Sequence, residues 1–294
     1  MNITRRPEWL QKKISPVAHA DMERLLGDLQ LHTVCQEAHC PNISECFRQR
    51  QATFLILGKL CTRLCSFCNV TKQTPLPVDP AEPGRVAAAV QRLKLIHVVV
   101  TSPTRDDLAD GGSAHYGATV AAIRLASPET AIELLVPDFA GSAEAVGGVV
   151  AAQPDILGHN LETVPRLYSI RSGADYRRSL GVLQSVRRMD PAMKTKSGLM
   201  LGLGETEDEL FQVLEDLRRV DCTYLSMGQY LAPSRSHHPV QEFVSPETFD
   251  RYRERALAMG FAHVESGPYV RSSYHAEQYG AGTAHARIPG VPGD

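Results

Sequence analysis

The chain has 294 residues, 43% of them hydrophobic, and a formal net charge of −2. That suffices for a large buried core, as one α/β barrel with terminal extensions or as two ordinary domains. The balance lacks the basic excess of nucleic-acid binders, and no apolar run reaches the roughly 18 residues of a membrane span. The basic start MNITRRPEWLQKKISP has no apolar stretch behind it to make a secretory signal, so a cytoplasmic protein with no nucleic-acid and no membrane partner is expected.

In chain order, residues 1–52 read as an N-terminal extension, polar and irregular apart from a helix over 18–30, where AHADMERLLGDLQ carries apolar residues at helical spacing. From residue 53 short apolar runs recur: TFLIL (53–57), LIHVVVTS (95–102), AIELLVPDF (131–139), DILGHN (155–160), SGLMLGLG (197–204) and TYLSMGQY (223–230). Helical stretches fall between most of them, at 81–93, 115–126, 140–151, 175–189 and 206–219. Strands without strict alternation, separated by amphipathic helices, indicate parallel strands covered on both faces. Spacing alone does not separate a barrel from a doubly wound sheet, but six β/α units favour a closed or partly open barrel. The expected fold is α/β, a partial (β/α)6 TIM-type barrel over 53–262. HVESG (263–267) leads into a C-terminal extension, 263–294, whose Gly-, Ala- and Pro-rich end from 279 is expected to be disordered.

Six of the seven cysteines crowd into residues 35–68. Disulfide frameworks belong to small secreted domains; clustered cysteines in a large cytoplasmic chain point to metal. Cys61, Cys65 and Cys68 form C-x3-C-x2-C, beginning three residues after the first strand, on the rim where parallel barrels keep their working residues. Three thiolates hold three irons of a cubane cluster and leave the fourth open. A zinc site of three Cys and a remote His is the plainer alternative, but structural zinc usually pairs C-x2-C knuckles. Phe67 either shields the cluster or packs in the core. Upstream, Cys35, Cys40 and Cys46 form C-x4-C-x5-C among Gln, Glu, His, Asn and Ser, which suits a second cluster better than buried core thiols. Cys222 reads as structural, so the second cluster needs an oxygen or nitrogen ligand, or has its own open iron.

C-x3-C-x2-C after a first barrel strand resembles the radical S-adenosylmethionine (radical SAM) superfamily. With C-x4-C-x5-C before it and Arg271-Ser272-Ser273-Tyr274-His275-Ala276 near the end, the chain resembles the lipoyl synthase family within it. VTSPTRDDLADGG (100–112), VPDF (136–139), HNLETVPRLY (159–168), TKSGLMLGLGET (195–206) and GQYLAPSRSHHPV (228–240) extend the likeness over about residues 30–276. Pro103-Thr104 is a small departure.

The resemblance implies two [4Fe-4S] clusters and S-adenosyl-L-methionine. Cys61, Cys65 and Cys68 would hold the radical SAM cluster, whose open iron chelates the methionine moiety. Cys35, Cys40, Cys46 and the second serine of R-S-S-Y, Ser273, would hold an auxiliary cluster that donates sulfur and is consumed. It places the methionine amino group at Gly111 and Gly112, where a plain turn is the bland reading. Asn160 and Glu162, otherwise a solvated loop with a helix cap, could bond the ribose, and Met200 in Gly198-x-Met200-x-Gly202-x-x-Glu205 would face adenine. The implied reaction inserts two sulfurs into an octanoyl chain on a lysine of a lipoyl carrier domain. The implied partners are octanoylated carrier domains (E2 subunits and the glycine-cleavage H protein), a low-potential electron donor such as ferredoxin or flavodoxin, and an iron–sulfur carrier for cluster regeneration. A methylthiotransferase acting on tRNA is the competing enzyme, disfavoured by the charge balance. An iron–sulfur electron carrier or sensor is the competing non-enzyme, and it has no need of a barrel with a nucleotide site.

Overall fold

The structure, a computed structural model, describes residues 6–11, 20–49 and 51–280. Its strands are β1 (His32–Thr33), β2 (Thr53–Leu55), β3 (Leu60–Cys61), β4 (Thr71–Lys72), β5 (His97–Thr101), β6 (Ala131–Leu135), β7 (Ile156–Gly158), β8 (Lys194–Leu201), β9 (Tyr224–Gln229) and β10 (His263–Gly267). Eight of them form one sheet in the order β1-β2-β5-β6-β7-β8-β9-β10, while β3 and β4 pair separately. Apart from the antiparallel β1–β2 pair, all ladders of the large sheet are parallel. Each parallel step needs a crossover, and helices supply it: α4 (Glu82–Leu93), α5 (Ser113–Ala126), α6 (Ala143–Ala151), α7 (Tyr176–Met189), α8 (Glu207–Arg219) and α9 (Pro246–Ala258), preceded by α1 (Ala20–Asp28), α2 (Val34–Glu37) and α3 (Ile43–Arg48), and followed by α10 (Ala276–Gly280). The result is an open, curled half-barrel.

Helices begin where the sequence offers a cap. Ser142, Asp175 and Ser245 accept from backbone N–H groups three residues on, and Thr206 with Glu209 completes a capping box at α8. The apolar faces of α4 to α6 pack on β2, β5 and β6 around Phe54, Val100, Ile123, Ile132 and Val149, a core that also takes Met22, Leu26 and Phe47 from the N-terminal segment. A second core joins α8 and α9 to β8–β10 around Leu214, Leu225 and Phe249. Cys222 is buried in it, its thiol donating to the Tyr224 carbonyl at 3.4 Å.

The six expected parallel strands are joined by a seventh. HVESG pairs with β9 over five residues, so the sheet continues across residue 262, and α9 is the crossover that makes this possible. Periodicity misses α9 because only Phe249 and Ala256 are buried along it. The Ser-Pro-Glu start at 245–247, an N-cap followed by Pro at the first helical position, is the signal that marks it. The 1–52 segment is less irregular than expected, since α2 and α3 carry Cys35 and Cys46. Elements this short leave no hydrophobic period to detect. The expected tail begins with α10 rather than disorder at 279–280, and residues 281–294 lie outside the described part. Among the described residues no helix is long and apolar enough to cross a membrane.

After Gly267 the chain turns back into the half-barrel. Gly228 on β9 lies so close to this arm that an added Cβ would sit 2.0 Å from the Val270 carbonyl oxygen. Gly228→Ala should therefore push the arm off β9 at a cost of about 1–3 kcal/mol, read as faster amide exchange over residues 268–276.

Candidate functional site

The three-cysteine loop lies at the C-terminal end of β2. Cys61 ends β3, whose pairing with β4 closes the loop on itself, and the Thr62 amide and hydroxyl both donate to the Thr104 carbonyl at 3.1 and 3.0 Å. Asn69 Nδ2 donates to the Glu37 carbonyl at 2.8 Å and so ties this loop to α2, which carries Cys35. Phe67 packs beside Met200 against Ile170, Leu203 and Tyr230, so it serves as core on the rim. Burial pushes the Cys68 thiol up to about 12, with Cys65 and Cys61 adding to it. Thiols held this close together ionise only beside strong positive charge, which is what bound iron provides.

A segment from the other end of the chain meets the second triplet. Cys35, Cys40 and Cys46 line one cavity of about 270 Å³, and Ser273, Arg271 and Thr53 line it too. The Thr53 hydroxyl donates to Ser273 Oγ at 2.5 Å. Asn42 Nδ2 donates to the Tyr269 carbonyl at 2.7 Å, and the Tyr274 hydroxyl to Glu45 Oε1 at 3.2 Å, which fastens the R-S-S-Y segment to the cysteine-bearing segment. Burial, then the neighbouring Cys40, pushes the Cys35 thiol up to about 11. Among the described residues no three His, Cys, Asp or Glu side chains converge as ligands of a single ion do. The ligands of a cubane each take a different iron, so they surround a volume rather than a point. A cavity walled by three thiols and a hydroxyl fits such a group.

Asn160, Glu162 and Met200 come together. Glu162 follows β7 at φ 67° and extends its pairing: the Glu162 amide donates to the Gly198 carbonyl at 3.0 Å, and the Met200 amide to the Glu162 carbonyl at 2.8 Å. Asn160, 8% exposed, donates through Nδ2 to Glu162 Oε1 at 3.1 Å. Burial pushes the Glu162 carboxyl above its usual range while Arg171 pulls it down. Gly198 is required here, because an added Cβ would lie 2.7 Å from Asn160 Oδ1. Glu205 closes this motif by accepting from the amides of Gly202 at 2.6 Å and Leu203 at 2.9 Å.

Gly111 and Gly112 enter α5 at φ 59° and 91°, left-handed conformations that suit glycine. An added Cβ at Gly112 would lie 2.3 Å from Leu57 Cδ1, beside the exit of β2. Their amides are engaged, Gly111 with the Leu108 carbonyl at 3.0 Å and Gly112 with Asp110 Oδ1 at 2.9 Å. The turn explains both glycines, and it sets them on the same rim as the three-cysteine loop.

Two comparisons decide the family. A model of the radical SAM superfamily matches residues 55–217. The chain is 82% identical to the lipoyl synthase of Geotalea daltonii over 294 residues, the whole of both chains. The chain belongs to the lipoyl synthase family. It is also 78% identical to the lipoyl synthase of Geotalea uraniireducens over 95% of this chain and 99% of that one. Among solved structures it is similar to Streptococcus suis SuiB bound to its precursor peptide, with a TM-score of 0.57 at 9% identity, covering 95% of this chain and 60% of that one. At that identity the likeness concerns the fold alone. As a lipoyl synthase of the radical SAM superfamily, the protein is an iron–sulfur enzyme of lipoate biosynthesis that uses S-adenosylmethionine.

The residues that hold the cysteine loop carry no motif in the sequence. Arg63, between Cys61 and Cys65, donates to both Asp106 oxygens at 2.7 and 2.9 Å and to Asp138 Oδ1 at 2.7 Å. Arg178 on α7 donates to the other Asp138 oxygen at 2.8 Å. Asp138 is fully buried, and it is the acid of the VPDF segment. Burial works against its ionisation, but the Arg63 guanidinium prevails and holds the carboxyl at about 2. A carboxyl depressed in the folded state stabilises the fold above its unfolded pKa of about 3.9, and that contribution disappears as pH falls through the folded value. Between about pH 4 and pH 2 the wild-type chain should lose stability that an Asp138→Asn variant lacks throughout, measured by urea unfolding at successive pH values. Of Arg63, Asp106, Asp138 and Arg178 only Asp138 stands in an apolar run, and that is the one mark it bears in the sequence. Glu133 in AIELL is the same case, and it pairs with Lys196 at 2.9 Å inside the half-barrel, with Lys196 Nζ 3.6 Å from the Tyr279 ring centre.

Proposed function

We propose that the chain inserts two sulfur atoms at carbons 6 and 8 of an octanoyl group amide-linked to a lysine of a lipoyl carrier domain, in the cytoplasm. Cys61, Cys65 and Cys68 hold the radical SAM cluster, and Cys35, Cys40, Cys46 and Ser273 hold the auxiliary one. When bound, the first group with S-adenosylmethionine supplies a 5′-deoxyadenosyl radical that abstracts hydrogen, and the second supplies the sulfur.

The residues divide the work. Asn160 and Glu162 offer a donor and a carboxylate to the ribose hydroxyls, and Met200 with Phe67 gives the adenine an apolar wall that keeps water out. The turn at Gly111–Gly112 lies against the methionine end. Arg63 holds the cysteine loop against Asp106 and Asp138, so that a cluster held by the three thiols would stand beside this pocket. Thr53 donates to Ser273 and keeps its oxygen on the wall of the cavity beside the three thiols. An electron donor of low potential, such as ferredoxin or flavodoxin, and an iron–sulfur carrier that rebuilds the consumed cluster complete the cycle.

One observation carries the reading: the C-terminal arm brings Ser273 into the cavity lined by Cys35, Cys40 and Cys46, more than two hundred residues away in sequence. The test is anaerobic reconstitution followed by turnover with dithionite, S-adenosylmethionine and an octanoyl-lysyl peptide. We expect two four-iron clusters per chain, 5′-deoxyadenosine and a lipoyl-lysyl product. Stoichiometric zinc without iron, or deoxyadenosine with no thiolated product, would refute it.

A further inference from the structure

Asn160 has two side-chain N–H groups, and both are engaged. One donates to Glu162 Oε1 at 3.1 Å and the other to Ser272 Oγ at 2.7 Å. Its amide oxygen packs over Gly198, in the space a Cβ there would need. Ser272 is adjacent to Ser273, whose hydroxyl accepts from Thr53 at 2.5 Å in the cysteine-lined cavity. One hydrogen bond therefore joins the ribose-facing pair to the residue next to the auxiliary ligand.

We propose that the Asn160–Ser272 hydrogen bond couples the two sites: S-adenosylmethionine takes the Asn160 donor for a ribose hydroxyl and thereby loosens the arm at Ser272 and Ser273, while Asn42 and Glu45 still hold it at Tyr269 and Tyr274. This rests on the reading of Asn160 and Glu162 as the ribose site. Ser272 is then a positioning residue, and its neighbour is held firmly while the cofactor pocket is empty and loosened when it fills. The exchange is stoichiometric, since the Asn160 N–H leaves one oxygen acceptor for another and no covalent bond changes. Coupling of this kind is reciprocal: whatever loosens the arm must tighten cofactor binding by the same factor.

The experiment uses the full chain with both clusters, kept anaerobic and without reductant so that S-adenosylmethionine binds without being cleaved. Amide exchange over residues 269–276 and the equilibrium affinity for S-adenosylmethionine are read together. In the wild-type chain the cofactor should speed exchange across the arm. Ser272→Ala should bind it roughly two- to tenfold more tightly, the equivalent of one net hydrogen bond no longer surrendered, with arm exchange already fast and insensitive to cofactor. Ser272→Thr, which keeps the hydroxyl, should restore both wild-type values. Arm exchange in the wild-type chain that is the same with and without cofactor overturns the coupling, as does a Ser272→Ala chain with unchanged affinity. Adding Asn160→Ala to the Ser272→Ala chain removes the ribose bond with nothing surrendered in exchange, so an affinity unchanged from Ser272→Ala alone overturns instead the ribose-site reading beneath it.

Discussion

Cys61→Ala, Cys65→Ala and Cys68→Ala should each halve the bound iron and reduce 5′-deoxyadenosine formation to background. On the proposed ligand set each variant would remove one of three thiolates from a group that already has one iron without a protein ligand, and two ligands would not retain a cubane. The second cluster should survive, because the ligands proposed for it lie in α2, α3, the turn between them and the C-terminal arm rather than in this loop. Iron and sulfide analysis with electron paramagnetic resonance of the reduced protein reads the first effect, and chromatography of the nucleoside products reads the second. Loss of both clusters in every variant would mean that the triplets form one site.

Replacing Cys35, Cys40 or Cys46 by Ala should have the converse effect: 5′-deoxyadenosine persists and lipoyl product falls to background. These residues wall the cavity at the arm, and the residues proposed to hold the methionine and ribose ends of the cofactor do not line it. Ser273→Ala keeps three thiolates, so the cluster should assemble, yet the proposed oxygen ligand is gone and little dithiolane should form. Ser273→Cys should assemble as well, but a soft thiolate on iron is displaced less readily than a hard alkoxide, which slows sulfur delivery. Ser272→Ala is the control. Its hydroxyl points to Asn160 rather than into the cavity, so at saturating cofactor it should give near-normal lipoyl yield. A Ser273→Ala enzyme with normal yield would remove Ser273 from the ligand set.

Much of this was written locally in the chain. The spacing of each cysteine triplet is set by how few residues can carry three sulfurs around one small volume, so it shows in any window of fifteen residues. The strand and helix alternation shows for a similar reason, since strands covered on both faces need unbroken apolar runs such as HVVVT, and helices facing solvent on one side need an apolar stripe. The C-terminal motif was visible as a string, and its resemblance suggested a role, but nothing local to R-S-S-Y says what its hydroxyls meet.

The tertiary structure alone decided the meetings. Thr53 and Ser273 touch across 220 residues and Asn160 and Ser272 across 112, and such contacts depend on how the arm turns after β10, which no nearby residue reports. The arm enters the half-barrel because β10 is a seventh parallel strand, and β10 is in the sheet because α9, nearly devoid of buried apolar residues, still crosses over to deliver it. Arg63, Asp106 and Asp138 look in the sequence like ordinary surface charges. Only packing withdraws Arg63 and Asp138 from water, and a charge withdrawn from water must find its partner; with Asp106 closing over Arg63 from the surface, three separate loops come to hold one row of cysteines in place.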